Sequence, residues 1–288
     1  MGLFDGKKGL ILGVANDRSI AWAIAEEIMK EGGVCGFTHL PDKPEDDKKK
    51  NHRRVFKCTE QYPNNVKFLV PLNVQSDDDI KAVMDKAAAE FGQIDFLLHS
   101  IAFATLDDLN RDTIETSREG FKLAMEISAY SLMAVCNAAK GILKPAVRDE
   151  KHNLVECGSS VLTMTYFGGE KCVPGYNVMG ICKAALDSAV KYLAYDLGPQ
   201  GVTVNAISAG PLKTLAGSAA GVNEMLELYD QMAPIGRNIT HTEVGKTGAF
   251  LLSDWASGIT GEIVHVDGGY NMMGSPGRLL DNLPKKPA

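Results

Sequence analysis

Apolar residues along this chain follow two rhythms that alternate from one end to the other. "KGLILGVA" is an unbroken apolar run with glycines, as expected of a strand buried on both faces. In "NDRSIAWAIAEEIMKEGG" the period changes: Ile20, Ala23, Ile24 and Ile28 recur at helical spacing, Ser19 can cap, and Gly32-Gly33 end the element. "VCGFTHL" and "VKFLVPLNV" predict a second and a third strand, residues 77–91 a helix, and "IDFLLHSIA" a fourth strand. One long helix is expected over 119–143. A fifth strand in "SSVLTMTY", a helix carrying Tyr176, a sixth strand in "GVTVNAIS" and a last one in "GEIVHVDGG" complete the series.

Strands alternating with helices at this pace predict βαβ units. The expected fold is α/β, a Rossmann-type doubly wound parallel sheet with helices on both faces and right-handed crossovers. No repeat or low-complexity linker divides residues 1–288, so a single domain is expected. Segments 41–65 and 146–157 read as insertions, and 277–288 as a tail.

A hydrophobic share of 45% supplies ample core for one such domain. The net charge of −6 argues against nucleic acid and anionic membranes as partners. The basic run "KKKNHRR" follows the acidic "PEDD" and reads as a solvated surface segment. No signal peptide opens the chain and no apolar run is long enough to span a bilayer, which predicts a cytoplasmic protein. The six cysteines form no CxxC pair and the six histidines no HExxH pattern, so reduced structural thiols and no metal are expected.

Ligands of open α/β sheets sit outside the carboxyl ends of the strands. After the first strand come Gly13, Ser19 and Ile20. Glycine there lets backbone approach a pyrophosphate, and a helix N-terminus offers free N–H groups to its charge. The stretch is not GxGxxG, since only Gly9 and Gly13 are present. Asn73 and Val74 follow the third strand, where an adenine is expected. Ser100, Ile101 and Ala104 follow the fourth, where nicotinamide and substrate would meet. "SAGPLKTLAG" follows the sixth and suits wrapping of the nicotinamide end. Together, four strand ends favour a dinucleotide. The tip of the second strand, residues 39–43 ("HLPDK"), is neither acidic nor basic enough to separate NADH from NADPH.

Tyr176 and Lys183 stand seven residues apart, nearly two helical turns, and so share a face of the predicted helix. Both side chains lean toward the helix N-terminus and could flank one ligand. The ammonium can bond ribose hydroxyls and lower the phenol's pKa, and the phenol can stabilise a developing oxyanion.

These features, with "NAISAG" and "VDGG", resemble the short-chain dehydrogenase/reductases. Most members place lysine four residues after the tyrosine, yet none of the eight tyrosines here has lysine at +4, and Tyr176 alone has it at +7. That spacing, with "GVANDRSIA", "HSIAFA", "YNVMG" and "NAISAGPLKTLA", resembles the enoyl-acyl-carrier-protein reductases of type II fatty-acid synthesis. The resemblance implies that Tyr176 bonds the thioester carbonyl, Lys183 holds the nicotinamide ribose and Tyr166 is a second active-site tyrosine. It implies cofactor contacts at Gly13, Ser19, Ile20, Leu40, Asn73, Val74, Ile101, Leu212, Lys213, Thr214, Leu215 and Ala216, and substrate contacts at Ala104 and Tyr166. NADH as cofactor, acyl carrier protein as partner, a homotetramer and a mobile substrate-binding segment near 210–235 are implied likewise. A carbonyl dehydrogenase is disfavoured by the missing +4 lysine, and a nucleotide sensor by the joint presence of Tyr176 and Lys183.

Overall fold

The computed structural model describes residues 2–214 and 222–282. Seven strands form one parallel sheet in the order β3-β2-β1-β4-β7-β8-β9. They are β1 (Lys8–Leu12), β2 (Val34–His39), β3 (Val66–Pro71), β4 (Phe96–His99), β7 (Ser160–Thr165), β8 (Thr203–Ala209) and β9 (Ile263–Val266). Every residue of β4, β7 and β8 is buried, while the edge strands β3 and β9 are only partly covered. Burial on both faces therefore marks the centre of the sheet, although β7 and β8 carry buried Ser, Thr and Asn among their apolar residues.

Helices cover both faces. On one side α1 (Ile20–Lys30) packs against α9 (His241–Leu252), with Ile24 and Ile28 fully buried. Any side chain at Gly248 would run into Ile24, so the glycine sets this close approach. On the other side lie α3 (Asp77–Phe91), α6 (Ser131–Ala139) and α7 (Asn177–Leu197), which share a second apolar core with Leu10, Leu12 and Leu97. Ser76 caps α3, accepting the Asp79 N–H at 3.1 Å, with three aspartates in its first turn.

The segment over 41–65 contains α2 (Lys50–Thr59). Val55 and Cys58 anchor it to the core while Lys48, Arg53 and Arg54 stay exposed, so the basic run is a solvated helix face. The segment over 146–157 is an antiparallel hairpin of β5 (Val147–Arg148) and β6 (Leu154–Glu156), outside the main sheet. The short helix α4 (Leu106–Asn110) follows β4.

One expectation is corrected. The long helix expected over 119–143 runs without a break from Arg118 to Ala139, but as α5 (Arg118–Met125), a π-helical turn (Glu126–Tyr130) and α6, and it ends at Ala139. Hydrophobic periodicity does not register one extra residue in a turn. Here the widened turn brings Ser128 to the loop after β4, where its Oγ accepts the Phe103 N–H at 2.9 Å and donates to the Phe103 carbonyl at 3.1 Å.

Candidate active site

The switch point of the sheet lies between β1 and β4: β2 and β3 continue to one side of it, β7, β8 and β9 to the other. The strand ends that meet there are the ones on which the sequence places its chemistry. The Ser100 N–H donates to the Leu12 carbonyl at 3.0 Å, which joins the two loops directly.

Gly13 has φ +99, and a Cβ there would run into the Ser100 carbonyl. Glycine is thus required for loop-to-loop packing as well as for the left-handed backbone. Ser19 departs from its expected role. It occupies the N-cap position of α1, but its Oγ accepts the N–H groups of Ala15 (3.0 Å) and Asn16 (3.1 Å), tying the loop and leaving α1 without a side-chain cap. Trp22 N–H donates to the Ser19 carbonyl at 3.0 Å, so among the described residues the first-turn N–H groups left for another acceptor are those of Ile20 and Ala21. Toward the opposite edge, Val74 is buried, and the Asn73 side chain closes its own turn by accepting the Gln75 N–H. Leu40 is 66% exposed. The Asp42 carboxylate is engaged, accepting N–H groups of Asn51 (2.6 Å) and His52 (3.2 Å) at the start of α2.

Tyr176 lies at the N-cap of α7, not inside the helix. Asn177, next in the chain, has φ +29, and its side-chain amide donates to the Leu109 carbonyl at 2.9 Å and to the Arg111 carbonyl. That link fixes the turn that carries the phenol. Burial pushes the Tyr176 pKa well above the usual phenol range, and the nearby Tyr166 and Cys182 add to it. The expected lowering by the lysine is absent, because the two groups do not pair. Lys183 is only 5% exposed and its Nζ donates to the Met164 carbonyl at 2.8 Å. Burial lowers the Lys183 pKa to about 8, against the opposing pull of Asp187 one turn on. An ammonium has three donors, and a carbonyl takes one. Among the described residues Asp187 Oδ1 is itself buried without a hydrogen bond.

Tyr166 follows β7 directly, its ring edge-on to Tyr176 with centroids 4.7 Å apart. Ala104 joins the Tyr176 ring in a small apolar cluster with Val178, Met179 and Cys182. Ile101 packs on the second core. After β8, Leu212 is buried and Lys213 exposed, and Thr214 N–H turns back to the Leu212 carbonyl at 2.8 Å. Leu215 and Ala216 lie outside the described residues. The uncapped start of α1 and the spare donors of Lys183 fit the two poles of a dinucleotide, anionic phosphate and ribose hydroxyls.

Sequence reasoning passes over several residues here. His99, fully buried at the end of β4, bonds Ser131 Oγ through Nε2 (2.8 Å) and Thr163 Oγ1 through Nδ1 (3.0 Å). Ser131 Oγ also donates to the Ile127 carbonyl at 2.6 Å, so it accepts from Nε2, and Nδ1 accepts from Thr163. This assigns the Nε2–H tautomer. Burial and the Lys183 charge push the His99 pKa down to about 3, keeping it neutral. A lone histidine in an apolar strand is the signal that points to such a network. Tyr229 and Tyr270 meet Tyr166 only through the fold, and no spacing in the chain announces them.

The family profile described as Enoyl-(Acyl carrier protein) reductase matches residues 13–271. The NADH-dependent enoyl-acyl-carrier-protein reductase FabI of Nostoc sp. is 44% identical over 270 residues, covering 93% of this chain and 98% of the relative. The crystal structure of the Aquifex aeolicus enzyme superposes with a TM-score of 0.83 at 43% identity, over 95% of this chain and all of that one. The Bacillus cereus reductase, solved with NADP+ and indole naphthyridinone, gives 0.85 at 41% identity, over 96% of this chain and all of that one. A +7 lysine, a seven-stranded parallel sheet and near-complete coverage agree: the chain belongs to the enoyl-acyl-carrier-protein reductases, within the short-chain dehydrogenase/reductases.

Proposed function

We propose that this chain, as a single dinucleotide-binding and catalytic domain, reduces the trans-2 double bond of an enoyl thioester carried on acyl carrier protein. The reaction is the last reductive step of type II fatty-acid elongation. One observation carries the assignment of roles: the partly buried Tyr176 at the start of α7 and the buried Lys183 two turns on do not pair with each other, and each keeps hydrogen-bonding capacity to spare. A reduced nicotinamide, when bound, supplies the hydride that adds to the electrophilic β-carbon. Lys183 would hold the ribose with the donors that Met164 leaves free, and the N-terminus of α1 would receive the phosphates. Tyr176 donates to the thioester carbonyl oxygen as negative charge gathers there, and a proton taken up at the α-carbon converts the resulting enolate into the saturated thioester. Burial raises the phenol's pKa, so the proton stays on Tyr176 until that charge appears. The apolar cluster around Ala104 and Met179 keeps water from the reacting carbons.

NADH is the proposed cofactor. Asp42 is committed to the start of α2, so neither cofactor has a free carboxylate from this residue to read or reject it, and NADPH belongs in the same assay. No helix among the described residues is long and apolar enough to cross a membrane, in keeping with work in the cytoplasm. Consumption of NADH or NADPH with a trans-2-enoyl thioester, and not with a 3-ketoacyl thioester, is the expected result. Tyr176→Phe should lower kcat by roughly a hundredfold or more. Activity confined to ketones would assign the carbonyl-dehydrogenase reading instead.

A further inference from the structure

Five aromatic rings tie the ends of β7 and β9 to α7 and to α8 (Val222–Met232). Tyr166 meets Tyr176, Phe167 meets Tyr270 edge-on at 5.7 Å, and Tyr270 stacks on Tyr229 of α8 at 3.8 Å and 15°. The Tyr270 turn is rigid: both Asp267 carboxylate oxygens accept backbone N–H groups, from Gly269 at 2.9 Å and Asn271 at 2.8 Å. Tyr229 is 6% exposed and held flat by the stack. Its hydroxyl lies 3.1 Å from the Tyr166 hydroxyl. Among the described residues the Tyr166 hydroxyl has one other hydrogen-bond partner, the Met225 sulfur at 3.9 Å, a weak acceptor.

A phenol carries one proton and can also accept. If Tyr166 donates to Tyr229, its proton is withdrawn from the site. If Tyr229 donates to Tyr166, the Tyr166 proton is free to turn toward the Tyr176 side, and the chain of hydroxyls polarises it. Arrival of an oxygen that gains negative charge selects the second arrangement, because only then does every hydroxyl proton have an acceptor. We propose that Tyr229 is a positioning residue for the reduction: its hydroxyl donates to Tyr166 and aims the Tyr166 proton at the thioester carbonyl oxygen that Tyr176 also bonds. The inference rests on the roles proposed above for Tyr166 and Tyr176.

Phenylalanine at 229 keeps the stacked ring and removes only the hydroxyl, so folding is preserved. The test compares kcat and KM with an enoyl thioester for wild type, Tyr229→Phe, Tyr166→Phe and the double variant. It also follows the Tyr166 resonance in protein labelled with 13Cζ-tyrosine. Tyr229→Phe should lose roughly two- to tenfold in kcat, the size of one neutral hydrogen bond, with the cofactor KM unchanged. The double variant should be no slower than Tyr166→Phe, and the Tyr166 resonance should shift when residue 229 loses its hydroxyl. Independent, multiplying losses or an unchanged kcat would overturn the inference. So would a rise in kcat/KM, which would make Tyr229 a competitor of the thioester. An unshifted resonance overturns the hydroxyl pair whatever the turnover, and a wild type inert on enoyl thioesters overturns the proposed function and this inference with it.

Discussion

Lys183 is under two opposing demands. Its proposed task requires a charge, while its burial makes that charge costly and brings the pKa down to about 8. Raising the pH through 8 should therefore weaken NADH binding in wild type and leave the Kd of Lys183→Met flat, measured by cofactor fluorescence. The stability effect has the opposite sign. Between about 8 and the ordinary lysine value of 10.5 the unfolded chain holds a proton that the folded chain has lost. In that window this residue's contribution to stability rises with pH. A denaturant-midpoint difference between wild type and the variant that stayed constant over the window would contradict the buried setting. Tyr176 shows a related balance: a phenol with a raised pKa is a poor acid at rest and gives its hydrogen bond best to a strong acceptor.

At the level of elements, the π-helical turn and His99 hold the loop after β4 and the end of β7 in register. Ser128 clamps Phe103, and Ser131, His99 and Thr163 link α6 through β4 to β7. Three elements thus share one neutral imidazole. Its folded pKa of about 3 lies below the ordinary histidine value of 6.5, so the unfolded chain binds the extra proton between them. Stability from this source is full above 6.5 and falls as the pH drops toward 3. His99→Gln should flatten part of the acid limb of a plot of stability against pH and cost about 1–3 kcal/mol near neutrality through unsatisfied buried hydroxyls. The element pattern was partly readable in the chain, since the seven strands of the main sheet and the helices α1, α3 and α7 follow from apolar period and turn residues, while α9 and the β5–β6 hairpin were not read from it. The π turn was not readable, because one added residue leaves the apolar stripe nearly unchanged over a span of five.

For the whole molecule, the exposed side of α7 carries large apolar and aromatic side chains beside Ser188, Lys191 and Asp196. Ile181, Tyr192 and Tyr195 fall on one face at helical spacing, and the two tyrosines are 72% and 82% exposed. Self-association through this helix, as in the homotetramer expected of the family, would cover them. Light scattering on the purified protein should report a tetramer, and Tyr195→Glu should shift it toward smaller species while leaving the fold intact by circular dichroism. A monomeric wild type would remove the proposal.

Fold class, strand sequence, the +7 pair and the strand ends that carry the site all follow from local chemistry. Periodicity records which face of an element is buried, and a +7 spacing on a helix needs no knowledge of distant residues. Contacts between residues far apart in the chain followed different rules. That Tyr176 starts α7 rather than riding inside it depends on Asn177 reaching Leu109 and Arg111. That Lys183 bonds a β7 carbonyl instead of tuning the phenol depends on how α7 lies on the sheet. Ser19 ties its loop because Gly13 brings that loop against Ser100. Tyr229 meets Tyr166 across 63 residues of chain, and His99 meets Thr163 across 64. A hydrogen bond is directional and short, so its partner is set by where whole elements come to rest, and no one-dimensional pattern carries that information.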